Sequence, residues 1–188
     1  MKRIALLSVF LMLIAVPTFA APPNYGAVKL GGYFPQNNDM DEFDTGLNVE
    51  VALGHYFNPN VAVEFSVGYF ETSASDVGID ADITSYPILL SIKAVAPISG
   101  GELYALAGGG LYITELDASA LGVNISSDDT PFGFQLGVGG NFDLSPNVFL
   151  GLEAKYFWAQ PSFDLLGVSV VEPHIDGIQA TANIGFRF

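Results

Sequence analysis

From residue 25 onward, apolar and small polar residues alternate along the chain with a period of two. The last segment shows this best, because every second residue is apolar and the residues between them are polar or glycine. Its apolar face consists of Ile178, Ala180, Ala182, Ile184, Phe186 and Phe188. Successive side chains of a β-strand point to opposite faces, so the period predicts strands whose two faces meet different surroundings. Seven further segments follow the same rule, and we therefore expect eight strands.

The connections between the predicted strands alternate in length. Three are short and built from turn-forming residues, at 58–60, 97–101 and 145–147. Four are longer and polar, at 35–44, 71–82, 115–129 and 160–176. This alternation predicts an up-and-down antiparallel meander, which closes into a barrel when the first strand pairs with the last.

The composition of the second face decides which way the barrel is turned. The outer face of a soluble barrel should be roughly 25 to 35 % charged. Here the second face is mostly Gly, Ala, Ser, Asn and Thr, so it cannot serve as a water-facing coat. We therefore expect the apolar face to meet lipid and the small polar face to fill a narrow lumen. The predicted fold class is all-β, an eight-stranded antiparallel up-and-down transmembrane β-barrel, which also leaves no backbone group unpaired in hydrocarbon.

Aromatic residues cluster toward both ends of the predicted strands, as expected where rings lie at the level of the lipid headgroups. General enrichment of aromatic residues in strands explains part of this pattern. The group toward the short turns is Tyr56, Phe57, Phe142, Phe149, Phe186 and Phe188, and the group toward the long loops is Phe34, Tyr69, Tyr86, Phe132 and Trp158.

The N-terminal segment has the three parts of a secretory signal peptide. Lys2 and Arg3 precede an apolar run at 4–16, and a small residue, Ala20, stands before the expected cut. The apolar run is shorter than the roughly 20 residues that a membrane-spanning helix needs. We expect residues 1–20 to be cleaved and residues 21–188 to form the barrel domain. No Cys follows the cut, which excludes lipid attachment there.

Composition and charge exclude several other classes of protein. The 188 residues include no Cys, 20 acidic residues and only six Lys and Arg, with a formal net charge of −14. A disulfide-stapled domain and a cysteine-ligated metal domain need Cys, and a nucleic-acid binder needs a basic surface. No later stretch approaches the 18 uninterrupted apolar residues of a transmembrane helix.

The phase of the strands places charged side chains inside the barrel. All four basic residues outside the signal segment point into the lumen, and so do three glutamates. These residues are Lys29, Glu50, Glu64, Lys93, Glu153, Lys155 and Arg187. Charges away from water need partners, so we predict a buried ion-pair network in which Glu64 and Lys93 are cross-strand neighbours. The network is interpreted either as a packed polar core or as a gate along a conduction path.

Most of the acidic residues lie in the predicted long loops, where solvation of exposed loops is the simplest explanation. Their oxygens could also hold Ca²⁺ or Mg²⁺ at a lipopolysaccharide-bearing surface. The densest set is Asp39, Asp41, Glu42 and Asp44, which lacks the glycine and distal glutamate of a helix-loop-helix calcium site. The fourth loop also carries apolar residues at near-strand spacing, which predicts a hairpin above the membrane or an entrance for an apolar ligand.

The sequence offers little for catalysis. His55 falls near the short-turn end, and His174 lies in the fourth loop beside Asp176. Ser162 or Ser169 could approach His174 in space, but the spacing does not assemble a nucleophile with its acid and base. We interpret His174 as a structural loop residue, expect no catalytic residue and no cofactor, and keep a lipid-modifying enzyme as the last of the alternatives.

The chain resembles the small outer-membrane β-barrels, the OmpA-like and OmpW-like porin-family barrels. Its ending, 184–188, is similar to the signal that the barrel assembly machinery reads, with Ile184, Phe186 and Phe188 at alternate positions. Asn183 stands where many such signals carry Gly, which bears on the strength of recognition. The glycine-rich segments 103–114 and 132–142 also resemble the family.

This resemblance implies an outer-membrane location, with outer-membrane lipid, lipopolysaccharide and the assembly machinery as partners. We expect a monomer that binds no nucleic acid. Because members of the family differ in activity, two non-enzymatic roles stay open. The first is a structural or surface-interaction barrel with a filled lumen, and the second is a narrow pore for ions or small hydrophobic compounds.

Overall fold

The computed structural model describes residues 24–36, 45–76, 79–120, 123–159, 163–165, 168–171 and 175–188. They form eleven strands: β1 (Asn24–Pro35), β2 (Gly46–Asn58), β3 (Val61–Asp76), β4 (Ile79–Ile98), β5 (Gly101–Ala120), β6 (Val123–Asp129), β7 (Phe132–Asp143), β8 (Val148–Ala159), β9 (Phe163–Leu165), β10 (Val168–Val171) and β11 (Ile175–Arg187). Within these ranges there is no helix long and apolar enough to cross a bilayer.

Eight of the strands close into one antiparallel barrel. Neighbours pair in the order β1, β2, β3, β4, β5, β7, β8 and β11, and β11 returns to pair with β1. The seam between β1 and β11 is extended by two backbone hydrogen bonds of 2.8 Å between Asn24 and Phe188. The predicted fold class is confirmed, including closure by the first and last strands.

Burial alternates residue by residue, and the apolar side chains are on the outside. On β8, Leu152 is 64 % exposed, whereas its neighbour Glu153 is 3 % exposed. Leu30 on β1 and Ile92 on β4 are likewise exposed, while Lys29 and Lys93 beside them are buried. This inverted pattern is the one expected of a barrel whose outer wall meets hydrocarbon.

Two of the predicted long loops are largely strand, which corrects the sequence interpretation. Residues 71–76 and 79–82 are the paired ends of β3 and β4, and segment 115–129 contains the end of β5 and the whole of β6. The alternation continues there: Thr72 and Ile83 point inward and Glu71 and Asp82 point outward. High polarity is a poor sign of a loop here, because the outer face must become polar once a strand leaves the bilayer. In the fourth loop, β9 and β10 form the expected short hairpin.

The aromatic belts are also partly corrected. Tyr56 and Phe149 are buried inside the barrel, because Tyr56 shares the phase of Glu50 and Phe149 that of Glu153. The other predicted rings lie on the outer face and are exposed or half-buried: Phe57, Phe142, Phe186 and Phe188 toward the short turns, and Phe34, Tyr69, Tyr86, Phe132 and Trp158 toward the long loops.

Candidate functional site

The inward face of the barrel has three layers. An upper aromatic cluster, toward the long loops, consists of Tyr33, Phe70, Ile83, Leu89, Tyr112, Phe157 and Ala159. A lower aromatic cluster, toward the short turns, consists of Tyr25, Ala27, Tyr56, Ala62, Val95, Tyr104, Leu106 and Phe149. Charged side chains occupy the level between them. The lumen is therefore not the uniformly small and polar filling that the sequence pattern predicts.

Six charged side chains meet in the middle layer, and we call them the central network: Lys29, Glu50, Glu64, Lys93, Glu153 and Lys155. Each is at most 4 % exposed. Three ammonium groups face three carboxylates, so the central network is neutral. Neutrality matters because an uncompensated charge in such a place would carry a large desolvation cost.

Lys29 is the centre of this arrangement. Its Nζ lies 2.7 Å from Glu50, 2.8 Å from Glu64 and 2.9 Å from Glu153. Lys93 contacts Glu64 at 2.5 Å, and Lys155 contacts Glu50. Lys93 and Lys155 also approach Glu153, at 3.7 and 3.6 Å. Every carboxylate of the central network thus contacts two ammonium groups or more, and the six side chains form one connected cluster.

The strand register explains how these residues meet. Lys29 stands directly opposite Glu50, with β1 and β2 hydrogen-bonded at this level. Glu64 is opposite Ser91, whereas Lys93 is opposite Ala62. Glu64 and Lys93 are therefore cross-strand neighbours, as predicted, and the structure adds that they are diagonal neighbours and not directly opposed. The long lysine side chain spans this offset of two residues.

Tyrosine hydroxyls complete the shell of the glutamates. The Tyr25 hydroxyl donates to Glu64 Oε2 at 2.6 Å, and the Tyr104 hydroxyl donates to Glu153 Oε2 at 2.8 Å. The ammonium of Lys93 also lies 4.2 Å from the centre of the Tyr104 ring, a cation–π contact. The lower aromatic cluster therefore supplies hydrogen bonds to the central network as well as apolar contact.

Glycines on neighbouring strands make room for the inward rings. A Cβ at Gly54 would lie 2.0 Å from the Tyr25 ring, and one at Gly185 would lie 2.1 Å from the ring of Phe149. Neither ring is among the site residues that the sequence predicts. The signal that could have revealed them is a ring in phase with a buried charge, facing glycine on the next strand.

Arg187 lies apart from the central network, which is where the structure departs from the predicted set of seven. Its Nη1 contacts Asp143 Oδ1 at 2.5 Å and its Nη2 is 3.8 Å from Glu102 Oε1. The reason is its position at the end of β11, at the mouth of the barrel on the short-turn side. Glu102 has no clear signal in the sequence, because the glycine run 108–110 blurs the phase of β5.

The central network contains an oxygen cluster that resembles a metal site. Carboxylate oxygens of Glu50, Glu64 and Glu153 lie within 4.8 Å of one another. The Lys29 ammonium, however, is within hydrogen-bond distance of all three carboxylates, so the position of a cation is already taken by the chain itself. The weak candidates Asp39, Asp41, Glu42 and Asp44 lie outside the described residues.

The remaining predicted residues fall into three groups. His55 Nδ1 is 2.8 Å from Asn24 Oδ1, and the His55 ring packs edge-on against Phe57. This is a structural arrangement at the short-turn rim. His174 and Ser162 lie outside the described residues, whereas Ser169 lies on β10, opposite Asp164 of β9. The three residues of the predicted assembly signal, Ile184, Phe186 and Phe188, are exposed on the lipid-facing wall.

Comparisons with known proteins define the class of this barrel. The family model described as outer membrane protein beta-barrel domain matches residues 6–188. The chain belongs to this family and is an integral β-barrel protein of the outer membrane. No curated protein sequence matches the chain.

Several solved structures share the fold. A major outer membrane protein from Thermus thermophilus is 16 % identical with a TM-score of 0.59, covering 90 % of this chain and 100 % of that one. Neisserial surface protein A is 15 % identical with a TM-score of 0.57, covering 88 % and 97 %. Ail, the attachment invasion locus protein of Yersinia pestis, is 18 % identical with a TM-score of 0.57, covering 89 % and 99 %. At these identities the likeness concerns the fold alone.

Proposed function

We propose that this protein is a non-enzymatic outer-membrane barrel with a closed lumen, which serves a structural or surface-interaction role. The observation that carries the proposal is the neutral central network held between two aromatic clusters. Opening a water path through the barrel would require separating ion pairs that contact at 2.5 to 2.9 Å. It would also require moving rings on both sides of them.

The upper aromatic cluster supports closure toward the long-loop side. Tyr33, Phe70 and Phe157 contact one another with ring centres 4.8 to 5.5 Å apart, and Tyr112 stacks on Phe157 at 5.2 Å. All four rings are at most 2 % exposed. Packed aromatic pairs of this kind gain stability beyond the area that they bury. A water-filled path would need at least one of these rings to leave its place.

Planar-bilayer recording tests the closed lumen. We expect the purified barrel to insert without steady single-channel conductance. Phe157→Ala should stay closed as well, because the central network and the lower aromatic cluster still fill the lumen below the missing ring. An exposed ring on the same strand provides the matched control, and Trp158→Ala should also stay silent. Steady conductance of the unmodified barrel would contradict the proposal.

The extended strands support a role at the cell surface. Beyond the aromatic belt, β3 to β6 continue as a sheet whose outer face carries exposed Glu71, Asp82, Glu115, Asp117 and Asp128. A surface of this charge favours cationic partners, including the divalent cations that neutralise lipopolysaccharide. The neighbour Ail has been solved with a heparin analogue, sucrose octasulfate. A polyanion of that kind does not suit the acidic sheet of this chain.

Adsorption to charged particles measures this preference. Cells that display the barrel should bind cationic beads more strongly than the same cells displaying the double variant Asp82→Asn and Asp117→Asn. Heparin beads should not retain either kind of cell. Stronger retention of the unmodified barrel on heparin than on cationic beads would contradict the surface role as proposed.

A narrow pore is the second candidate, and one observation favours it. Polar side chains continue from the mouth of the barrel toward the central network, in the row Glu102, Asn141 and Asn183. Conductance that disappears in Glu102→Gln, with the upper aromatic cluster intact, would support the pore over the closed barrel. The third candidate, a lipid-modifying enzyme, is tested by a lipid A modification assay: activity lost in His174→Ala would establish it.

A further inference from the structure

A row of inward side chains connects the short-turn mouth with the central network. Glu102 on β5 is opposite Asn141 on β7, and Asn141 is opposite Gly151 on β8. Gly151 is opposite Asn183 on β11, which in turn is opposite Lys29 on β1. Because Gly151 has no side chain, the two asparagines face the lumen with only a glycine between them.

Two buried amide oxygens in this row lack hydrogen-bond donors. Asn141 is 3 % exposed and Asn183 is 5 % exposed, and the Oδ1 of each has no partner among the described residues. A Cβ built on Gly151 would lie 2.2 Å from one of these oxygens and 2.3 Å from the other. The oxygens are therefore at most about 4.5 Å apart, the sum of those distances. Buried acceptors that face each other in this way require a positive or donating group beside them.

The mouth next to these oxygens carries one excess negative charge. Glu102 Oε1 accepts hydrogen bonds of 2.6 Å from the Tyr56 hydroxyl and from Asn141 Nδ2, which are both neutral donors. Among the described residues, the positive group at this mouth is the guanidinium of Arg187. It lies closer to Asp143 than to Glu102, so Glu102 keeps most of its negative charge uncompensated. A cavity of about 390 Å³ at this end of the barrel borders Tyr56, Glu102, Asp143 and Arg187. Asn141 and Asn183 do not line this cavity, and Glu102, which accepts from Asn141 Nδ2, connects it to the row of asparagines.

We propose that this mouth is a binding site for a hard metal cation that enters from the periplasm, with Glu102, Asn141 and Asn183 as its protein ligands. Carboxylate and amide oxygens are the ligands that Ca²⁺ and other oxygen-preferring cations take, and water completes the shell. Glu102 supplies the compensating charge and the two asparagines supply neutral oxygens. The site differs from the glutamates of the central network, whose cation is Lys29.

Calorimetric titration of the detergent-solubilised barrel with Ca²⁺ at low ionic strength tests the site. We expect saturable binding, weakened at least 10-fold in Glu102→Gln. That substitution keeps an acceptor for Tyr56 and Asn141 and removes only the charge. We expect Asn183→Asp to bind at least 10-fold more tightly, since it adds a charge to the site. The matched control is Asp128→Asn on the outer sheet, that is, the sheet that the extended ends of β3 to β6 form beyond the aromatic belt. This substitution should leave the affinity for Ca²⁺ unchanged.

A parallel titration with Na⁺ in place of Ca²⁺ shows whether the site binds a monovalent or a divalent cation. Heat-modifiable mobility in gel electrophoresis confirms that each variant is folded. The proposal is overturned if neither cation binds saturably, since the two oxygens are then satisfied by water alone. It is also overturned if Asp128→Asn abolishes binding while Glu102→Gln and Asn183→Asp leave it unchanged, which would place the cation on the outer sheet.

Discussion

Replacement of Lys29 by methionine removes the ammonium at the centre of the lumen while keeping a side chain of similar length. Three carboxylates then face only Lys93 and Lys155, so one buried negative charge loses its counter-charge. At 2.7 to 2.9 Å, each of the three lost contacts is an attraction of about 6 kcal/mol for an effective dielectric constant of about 20. Desolvation of the ammonium and repulsion between the lysines offset most of that sum.

Breaking a buried ion pair by removing one partner costs about 3 to 5 kcal/mol in proteins. We therefore expect Lys29→Met to lower the free energy of unfolding by about that amount, a change of roughly a hundred- to several-thousand-fold in the unfolding equilibrium. Urea unfolding of the barrel in lipid vesicles measures it, with the gel mobility of folded and unfolded chains as readout.

The double variant Lys29→Met with Glu50→Gln is the matched control, because two carboxylates then face two ammonium groups. It should recover at least half of the lost stability. If Lys29→Met unfolds within about 0.5 kcal/mol of the unmodified barrel, the central network is not stabilised in the way described, because substitutions away from such features stay within that range.

Three further expectations concern other parts of the molecule. Gly54→Ala should destabilise the barrel by about 1 to 3 kcal/mol in the same urea assay, since its Cβ would meet the Tyr25 ring at 2.0 Å, while Gly26→Ala, whose Cβ meets only ordinary contacts from 3.5 Å, should be nearly neutral. Asp117→Asn should stabilise the outer sheet by a few tenths of a kcal/mol by relieving a directly opposed acidic pair, and the gain should vanish in high salt; a gain that persists there would contradict an electrostatic origin. Deletion of Phe188 should reduce the amount of assembled barrel in the outer membrane without reducing synthesis, as measured on fractionated cells, and unchanged assembly would show that the ending is not the signal.

Much of the fold could be predicted because a membrane barrel places a strict requirement on every second residue. On β8, the outward face must be apolar and Glu153 and Lys155 can only point inward, so the phase of one strand assigns its charges. Register cannot be obtained in the same way. The offset between Glu64 and Lys93 depends on the stagger of the strands, which the length of a turn does not determine.

The interior is harder to predict than the wall. Residue type alone assigns Tyr56 and Phe149 to the membrane interface, although their phase places them inside. The polar ends of β3 to β6 resemble loops in the sequence, because the apolar signal ends where the strands leave the bilayer. Glu102 is inconspicuous since the run of glycines on β5 hides the alternation, and it stands out only when β7 brings Asn141 beside it.

The central claim is that the apolar face of this barrel meets lipid, and the single tryptophan of the chain tests it most directly. Trp158 lies on the outer wall toward the long loops and is 37 % exposed. With the barrel in vesicles of phospholipids brominated at defined chain depths, its fluorescence should be quenched, most strongly by bromine near the headgroups. Fluorescence that no brominated lipid quenches would show that this face does not meet the bilayer.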